Sequence, residues 1–230
     1  MALGSRPDVQ FRTKQEYVYQ SLRGAILRGE LAPGQRLVID DIGRQLQVSA
    51  IPIREALQLL QSEGLVQGAP HVGATVAPIS ENEVHEVFAI MEGLETVGVR
   101  EAALWLDDAG LALLSGVVAE MDAAVAAQDY ERWAALNSDL HRTINEIARM
   151  PLLREMTDRV LARWERLRRH YFEGVVVPRV VQAQAEHHAL LGALLRRDPD
   201  EAEQIVRAHN QAAQAAYAHH LQRDAALQGS

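Results

Sequence analysis

The sequence predicts a mainly α-helical protein in two parts, a small N-terminal unit of short elements and a larger all-α bundle. Three observations support this division. Turn-forming glycines and prolines are concentrated between positions 29 and 78, whereas long helical periodicity runs from Glu81 onward. Residues 1–80 hold 8 Lys and Arg against 7 Asp and Glu, and residues 81–230 hold 15 against 24. The expected domains are residues 1–79 and 80–230, because Pro78 ends an extended run and Ser80 with Glu83 forms a capping box.

The N-terminal unit begins with three predicted helices. The first runs from Lys14 to Arg28 and is stopped by the turn sequence GELAPG. Its inner face carries Tyr17, Leu22, Ile26 and Leu27. A short second helix covers residues 39–46, and a brief turn at residues 47–48 leads to the third. Ser49 can cap that third helix, whose first turn accepts Pro52 at little cost.

A small hairpin is predicted after Gly64, from the runs LVQ and ATVAP joined by GAPHVG. The order helix, helix, turn, helix, hairpin is typical of a winged helix-turn-helix. In that fold the N-terminal turn of the third helix points into the major groove of DNA.

Arg54 lies in that first turn but off the apolar face of Ile53 and Leu57. It could therefore reach a guanine edge or a phosphate, although a solvated surface arginine paired with a neighbour such as Glu55 would look the same. The surrounding element order favours the DNA-binding interpretation. The candidate DNA-binding residues are Arg36, Arg44, Ser49, Ala50, Ile51, Arg54, Gln58, His71 and Gly73.

The C-terminal part is predicted to be a bundle of long helices, with breaks near residues 107–108, 128–129, 150–151, 174–178 and 198–199. The chain has no cysteine, which excludes disulfides and thiolate metal sites. The N-terminus lacks a signal-peptide core, and no run approaches the roughly 18 apolar residues of a membrane span. We therefore expect a cytoplasmic protein that does not enter a membrane.

Eight of the nine histidines lie in the C-terminal part. His141, His187 and His209 each share a helical face with apolar residues and come from separate segments. One such histidine would usually be a core residue, but three favour a metal site at the centre of the bundle. Asn137 lies one turn before His141 and can face the same ion, whereas Asp139 points to the other side. His188, His219 and His220 are expected on the surface.

The N-terminal motifs resemble those of a known family. LRGAILRGELAPGQRL, VSAIPIREALQLLQSEGLV and GATVAPIS resemble the DNA-binding domain of the GntR family of bacterial transcriptional regulators. This chain departs from the family at Ala50, where an arginine usually follows the Val-Ser pair. The operator sequence of relatives therefore does not carry over directly.

The C-terminal motifs NSDLHRTI, EHHALLGALLRRD and AEQIVRAHN resemble the FCD effector domain found behind such DNA-binding domains, in the branch named after the fatty-acid regulator. The resemblance implies a divalent metal held by Asn137, His141, His187 and His209, often beside a small carboxylate effector. Asn137 stands where the family has an aspartate. Met91 stands where the family often has an arginine thought to engage the effector's carboxylate.

The favoured function is a DNA-binding transcriptional regulator, expected to be a repressor and not an enzyme. Its helical domain would form a homodimer, bind zinc or nickel and respond to a small-molecule effector, and the operator would be an imperfect palindrome in double-stranded DNA. The alternative is a metal-dependent hydrolase that uses the three histidines. The sequence offers it no H-E-x-x-H motif, and Glu186 is expected to point about 100° away from His187 around its helix.

Overall fold

The computed structural model describes residues 13–68 and 73–228, and the mainly α-helical fold class is confirmed. The chain divides into two compact units. The first comprises Met1–Ser80 together with Glu165–His170, and the second comprises Glu81–Trp164 and Tyr171–Ser230.

The first unit is a winged helix-turn-helix. Its elements are α1 (Lys14–Leu27), β1 (Arg36–Leu37), α2 (Ile39–Leu46), α3 (Ala50–Ser62), β2 (Val66–Gln67) and β3 (Ala74–Val76). The strands form an antiparallel sheet in the order β1-β3-β2. The sequence did not predict β1, because two residues show no period-two alternation.

Apolar residues at helical spacing hold the first unit together. Leu22 and Ile26 of α1, Ile42 of α2, and Ile53 and Leu60 of α3 are fully buried. Burying each such side chain contributes roughly 1.5 to 3 kcal/mol. Tyr17, predicted beside this face, is only half-buried.

The turn between α2 and α3 depends on its backbone. Gln47 ends α2 in the left-handed conformation at φ 55°, which turns the chain toward α3. Ser49 occupies the N-cap position of α3, but its side chain makes no capping hydrogen bond. The prediction that Ser49 caps α3 through its hydroxyl is therefore wrong, and that hydroxyl stays exposed.

The second unit is built from long helices. They are α4 (Glu81–Trp105), α5 (Asp108–Ala126), α6 (Tyr130–Ile147), α7 (Pro151–His170), α8 (Val177–Leu195) and α9 (Pro199–Gln228). Asp107 and Asp129 cap α5 and α6 by accepting hydrogen bonds from the backbone N–H groups of Gly110 and Arg132. Pro151 and Pro199 begin α7 and α9, where their missing N–H costs little.

The helix break predicted at residues 174–178 is not found there, because these residues are helical. Residues 172–176 form a π-helical turn, called here the π-turn, and α8 follows it without an interruption. Gly174 is needed in it, because a Cβ there would lie 2.3 Å from the ring of His220. The His220 ring is half-buried and packs edge-on against Tyr171, with centroids 5.4 Å apart. His220 is thus not the solvated residue expected from sequence, whereas His219 is exposed.

Helix α5 is long and apolar enough to cross a membrane, by length and composition alone. Its most apolar window has a mean hydropathy of 1.6 and is 28% buried within the protein. The helix packs against α6 and α8, and its buried residues Leu114, Val118 and Met121 belong to the core of the bundle. The opposite face of α5 is also apolar, and its Leu113 is 61% exposed.

Candidate DNA-binding surface and metal centre

The face of the first unit formed by α3 and the sheet carries most of the candidate DNA-binding residues. Arg54 and Gln58 are exposed one turn apart on α3, and both line a small cleft with Gly73 and Ala74. Arg54 has no hydrogen bond or ion pair with any residue in the described ranges, so the expected alternative of a pair with Glu55 is absent there. An unpaired arginine on a recognition helix is free to bind a base or phosphate.

Arg36 joins this face from β1. Its guanidinium lies beside Gly73, since a Cβ at Gly73 would be 3.6 Å from Arg36 Nε. Position 68, directly after β2, requires glycine. Its φ is 117°, and a Cβ there would lie 2.2 Å from the carbonyl oxygen of Gly73. Because β1 pairs with β3 and Arg36 lies opposite Thr75, the Arg36 side chain lies beside Gly73, which lines the cleft.

The remaining candidates divide into three groups. Ser49 and Ile51 are exposed at the start of α3, and Ala50 is half-exposed. Arg44 does not line the cleft; it forms an ion pair with Asp41 on its own helix. His71 lies outside the described residues.

In the second unit, three imidazoles converge from three helices. His141 of α6, His187 of α8 and His209 of α9 place one ring nitrogen each within 4.8 Å of one another. Their ring centroids are 6.1, 6.1 and 4.9 Å apart. His141 and His187 are buried and His209 is 13% exposed.

Two carboxylates orient two of these rings. His141 Nδ1 lies 2.9 Å from Glu95 Oε1, and His209 Nδ1 lies 2.6 Å from Glu186 Oε2. A carboxylate can only accept, so His209 Nδ1 carries the proton when that ring is neutral, and the ion-pair contact with Glu95 favours the same tautomer of His141. The Nε2 lone pair of each ring is then available to a metal, which is the usual carboxylate–histidine–metal arrangement.

The other two candidates show buried polar atoms without hydrogen-bond partners. Neither ring nitrogen of His187 has a partner, and neither does Asn137 Oδ1, within the described part of the chain. Leaving such atoms unpaired costs about 1 to 3 kcal/mol each. The donors of this cluster, neutral nitrogens and an amide oxygen, fit a divalent ion of the zinc or nickel kind. Asp139 is exposed and paired with Arg142.

Burial and neighbouring charges set the protonation of the cluster. Burial and the charges of the other histidines hold the pKa of His187 well below 6.5, and burial lowers the pKa of His209. Burial opposes the charged forms of both His141 and Glu95, but their mutual attraction raises the pKa of His141 and lowers that of Glu95. His187 and His209 are therefore neutral at pH 7, as metal ligands must be.

Sequence reasoning missed the residues that support the ligands. Glu186 was expected to point away from the site, but its carboxylate spans to α9 and binds His209. Arg179 binds both oxygens of Glu186, at 3.3 and 2.7 Å, and donates to the carbonyl oxygen of His209 at 3.0 Å. Burial alone would raise the pKa of Glu186, but the hydrogen bonds from His209 and Arg179 bring it down to about 2. Asn210 donates to Glu95 Oε2 at 2.6 Å.

A cavity of about 50 Å³ is lined by His141 and His209 of the cluster. Its walls are mainly apolar, with the aromatic side chains of Phe88, Trp133, Trp164 and Tyr217. His188 lies outside it, exposed and 2.8 Å from Asp122. In the described residues the carboxylates nearest the cluster, Glu95 and Glu186, are both committed to histidines. This leaves a hydrolytic water without an evident general base.

Comparison with known proteins identifies the family. Residues 14–76 match the model of the bacterial regulatory proteins of the gntR family, and residues 86–212 match the FCD domain. The chain belongs to the GntR family and carries an FCD domain. The first unit is thus the GntR helix-turn-helix, and the three histidines lie in the FCD domain.

Relatives and solved structures agree with this family assignment. The HTH-type transcriptional repressor RspR of Escherichia coli K12 is 26% identical over 196 residues, covering 85% of each chain. McbR of the same strain is 29% identical over 186 residues, covering 80% of this chain and 83% of McbR. The E. coli McbR/YncC structure has a TM-score of 0.70 at 25% identity, covering 91% of this chain and 99% of its own. A GntR regulator from Rhodococcus sp. RHA1 shares the fold, with a TM-score of 0.67, 23% identity and coverage of 89% and 97%.

The GntR protein is therefore a transcriptional regulator and not an enzyme. Its helix-turn-helix implies DNA binding, and its FCD domain implies effector binding. The predicted family is confirmed, and the hydrolase alternative has no support from the family or the relatives.

Proposed function

We propose that this GntR regulator is a homodimeric repressor whose FCD domain binds a divalent metal ion and a small-molecule effector that alters operator binding. In this proposal residues 1–79 bind DNA, while residues 80–230 bind metal and effector and form the dimer. The protein would act in the cytoplasm, where its operator DNA is found. The name of the relative RspR, a transcriptional repressor, supports repression over activation.

The observation that carries the proposal is the convergence of three imidazoles with buried, unpartnered donor atoms beside a cavity. A histidine packed only for stability would have its ring nitrogens satisfied by the protein, as the great majority of buried polar groups are. Neither Nδ1 nor Nε2 of His187 has a hydrogen-bond partner among the described residues. Binding a metal ion would explain both why His187 is buried and why its ring nitrogens lack a hydrogen-bond partner.

The proposed ligands are His141, His187, His209 and Asn137. This set has no formal negative charge, which favours zinc or nickel over magnesium or calcium, because the latter require several hard oxygen ligands. The ion would connect α6, α8 and α9 and present a Lewis-acidic position to an oxygen atom of the effector. Glu95 and Glu186 fix the orientation of two of the rings from behind.

On the DNA side, the proposed contacts come from the start of α3 and the wing. Arg54 and Gln58 would contact base edges, while Ser49 and Arg36 would contact phosphates. Ile51 is 68% exposed and Ala50 lies beside it, so their apolar side chains could contact thymine methyl groups. Arg44, Gly73 and His71 stay proposed as contacts to the DNA backbone.

Two heads on a two-fold dimer require two half-sites, so the operator would be a short imperfect palindrome. Effector binding at the bundle centre would change the arrangement of the helices around the ion. That change would alter the spacing of the two heads and hence the operator affinity.

The test combines metal analysis with operator binding. The purified wild type, dialysed without chelator, should carry about one zinc or nickel ion per chain and retard a DNA fragment from upstream of its own gene. His209→Ala should lose the metal and keep the DNA contact. His188→Ala, which removes an exposed histidine outside the cluster, should keep both. A wild type without metal contradicts the metal site, and a wild type that retards no genomic fragment contradicts the assigned operator binding.

A further inference from the structure

Of the three converging imidazoles, His187 is the one that no carboxylate orients. Glu95 faces His141 and Glu186 faces His209, whereas neither ring nitrogen of His187 has a partner in the described ranges. A histidine that binds a metal usually donates its second N–H to a carboxylate or carbonyl, which fixes the ring. A ring that rotates freely would have to be ordered when the ion binds, at a cost in side-chain entropy. Another group must therefore hold His187.

The indole of Trp133 lies against the His187 ring. Trp133 is a buried residue of α6, and its ring centroid is 5.9 Å from that of His187 with the two planes 29° apart. Such offset pairs contribute about 0.5 to 1.5 kcal/mol beyond the area they bury. His141 meets the same imidazole edge-on, with centroids 6.1 Å apart. The flat indole therefore limits the planes that the His187 ring can adopt.

Gln184 in turn fixes the indole. Trp133 Nε1 donates to Gln184 Oε1 at 2.9 Å, in a hydrogen bond that is buried on both sides. Gln184 Nε2 donates to Asp122 Oδ1 at 2.7 Å and to the carbonyl oxygen of Val118 at 3.4 Å. The indole N–H can only donate, and the carboxylate and the carbonyl can only accept, so the orientation of the amide is determined. The indole is thus tied at its one polar atom.

These contacts bring a fourth helix into the site. Asp122 belongs to α5, which supplies none of the three histidines. Gln184 lies on α8 one turn before His187, so its amide links the carboxylate of α5 to the indole of α6. The orientation of His187 therefore depends on α5 as well as on the helices that carry the histidines.

We propose that Trp133, held by Gln184, is the positioning residue for His187 in the metal site. The inference rests on the proposed metal ion and adds the part of the site that orients its third imidazole. Trp133 does not ligate the ion; it keeps the His187 ring in one orientation. His141 and His209 have carboxylates of their own and do not depend on it.

The first test measures zinc affinity. Gln184→Met keeps a side chain of similar length but removes the hydrogen bond to the indole. Chelator-treated wild type and variant compete for zinc with a chromogenic chelator. We expect the variant to bind zinc about tenfold to a hundredfold more weakly, the usual effect of removing a group that orients a ligand. An unchanged affinity would overturn the inference.

Leu114→Ala is the matched control on α5. It removes a buried core side chain that takes no part in these hydrogen bonds, so it lowers the melting temperature. Its zinc affinity should stay within about threefold of wild type. A loss as large as that of Gln184→Met would show that any weakening of the bundle lowers affinity, and would overturn the assigned role.

The second test identifies which imidazole is affected, because a merely structural role would change all three. Ring nitrogen NMR of histidine-labelled protein, saturated with zinc, should show one bound nitrogen on each ring of wild type. In Gln184→Met the His187 ring should show two bound states or none, while His141 and His209 stay bound through Nε2. An unchanged His187 ring, or equal changes on all three rings, would contradict the proposal.

A double-mutant comparison tests the hydrogen bond itself. Trp133→Phe keeps an aromatic ring beside His187 but removes the N–H that Gln184 accepts. Combined with Gln184→Met, it should lose no more zinc affinity than the larger single loss, because both changes break the same bond. Additive losses would overturn the link. If Gln184→Met does not fold, Trp133→Phe alone serves for the affinity and NMR measurements.

The outcomes separate this inference from the proposed function. A wild type that binds zinc no more tightly than Gln184→Met contradicts the inference alone and leaves the proposed metal site standing. A wild type that takes up neither zinc nor nickel contradicts the metal part of the proposed function, and the inference fails with it. Operator retardation by the same preparations reports on the DNA-binding unit independently.

Discussion

Arg54 is the residue on which the DNA-binding surface most depends. It is exposed in the first turns of α3 and has no partner in the part of the chain that the structure describes. We predict that Arg54→Ala weakens specific operator binding by about 1 to 3 kcal/mol without changing the melting temperature. Gel-shift titration against the operator and an unrelated duplex measures the effect.

The matched control is Arg28→Ala, which removes the same charge from an exposed position at the end of α1, where Arg28 pairs with Glu30. It should change operator affinity much less than Arg54→Ala. Equal losses in the two variants would mean that Arg54 contributes only general charge.

Tyr19 joins α1 to the end of α3. Its hydroxyl donates to Glu63 Oε1, and Arg23 Nε donates to Glu63 Oε2 at 3.0 Å. Burial and the hydrogen bond to Glu63 raise the pKa of Tyr19 above 10.0. A raised pKa stabilises the fold below the unfolded value, and this stabilisation is lost as pH rises through the folded value.

We therefore predict that Tyr19→Phe lowers the free energy of unfolding by about 1 kcal/mol at pH 7, and that wild type and variant converge above pH 10. Urea unfolding at several pH values measures the difference. A difference that grows with alkaline pH would contradict the assigned hydrogen bond. Tyr19→Phe combined with Glu63→Gln should cost less than the sum of the two single changes.

Residues could be predicted from sequence where they lie on one helix and share its face. The three histidines were chosen by their spacing to apolar neighbours, and the structure places them together. Glu186 and Asn210 could not be chosen in this way, because their partners come from other helices. The rule that Glu186 points 100° from His187 describes its Cβ, whereas its long side chain reaches across to α9.

At the scale of elements, the π-turn packs closely against α9 through Gly174 and His220. A Cβ on Gly174 would lie 2.3 Å from His220 Cε1, so the His220 ring would have to leave its place against Tyr171. We predict that Gly174→Ala destabilises the protein by about 1 to 3 kcal/mol, the usual cost of overpacking. Thermal and urea unfolding measure it.

Two further variants check the cause. Gly116→Ala on α5, where a Cβ would meet nothing within 4 Å, should stabilise by about 0.5 to 1 kcal/mol. In a His220→Ala background, Gly174→Ala should cost little or nothing. If Gly174→Ala remains strongly destabilising without the His220 ring, then glycine is required for the backbone conformation at position 174 and not for space beside His220.

The elements themselves were predictable where local signals agree. The bounds of α2 match the prediction because Gln47 ends it in a left-handed turn just after the last apolar residue. The π-turn was predicted as a break because Gly174 and Pro178 are both helix-breaking signals. Pro178 instead lies at the start of α8, where it needs no N–H partner. Pattern alone cannot distinguish a helix start from a helix interruption at such a position.

At the scale of the whole molecule, the uneven charge shapes how the protein meets DNA. Residues 81–230 carry a net charge of −9 and residues 1–80 a net charge of +1, which together give the −8 of the whole chain. DNA binding must therefore come from a local arginine face, and its salt dependence should reflect few phosphate contacts. We predict a footprint of two half-sites related by a two-fold axis. A single asymmetric half-site protected at saturation would contradict dimeric binding.

The last prediction concerns the metal as a connection across the bundle. An ion held by His141, His187 and His209 would join α6, α8 and α9 and bind only the folded state. Adding zinc or nickel at about 100 times its dissociation constant should then stabilise the fold by about 2.7 kcal/mol. The gain should fall at acid pH because protonated imidazole cannot ligate, and His141, whose pKa is raised by Glu95, should be the first ligand to take up a proton.

Thermal unfolding of chelator-treated wild type, with and without added ion at pH 7.5 and pH 5.5, measures this stabilisation. His187→Ala should abolish it, because it removes the ligand that α8 supplies. His219→Ala, which changes an exposed histidine on α9, should leave it intact. A wild-type melting temperature unmoved by zinc and nickel at pH 7.5 would mean that the three histidines are core residues and that the effector is bound without an ion.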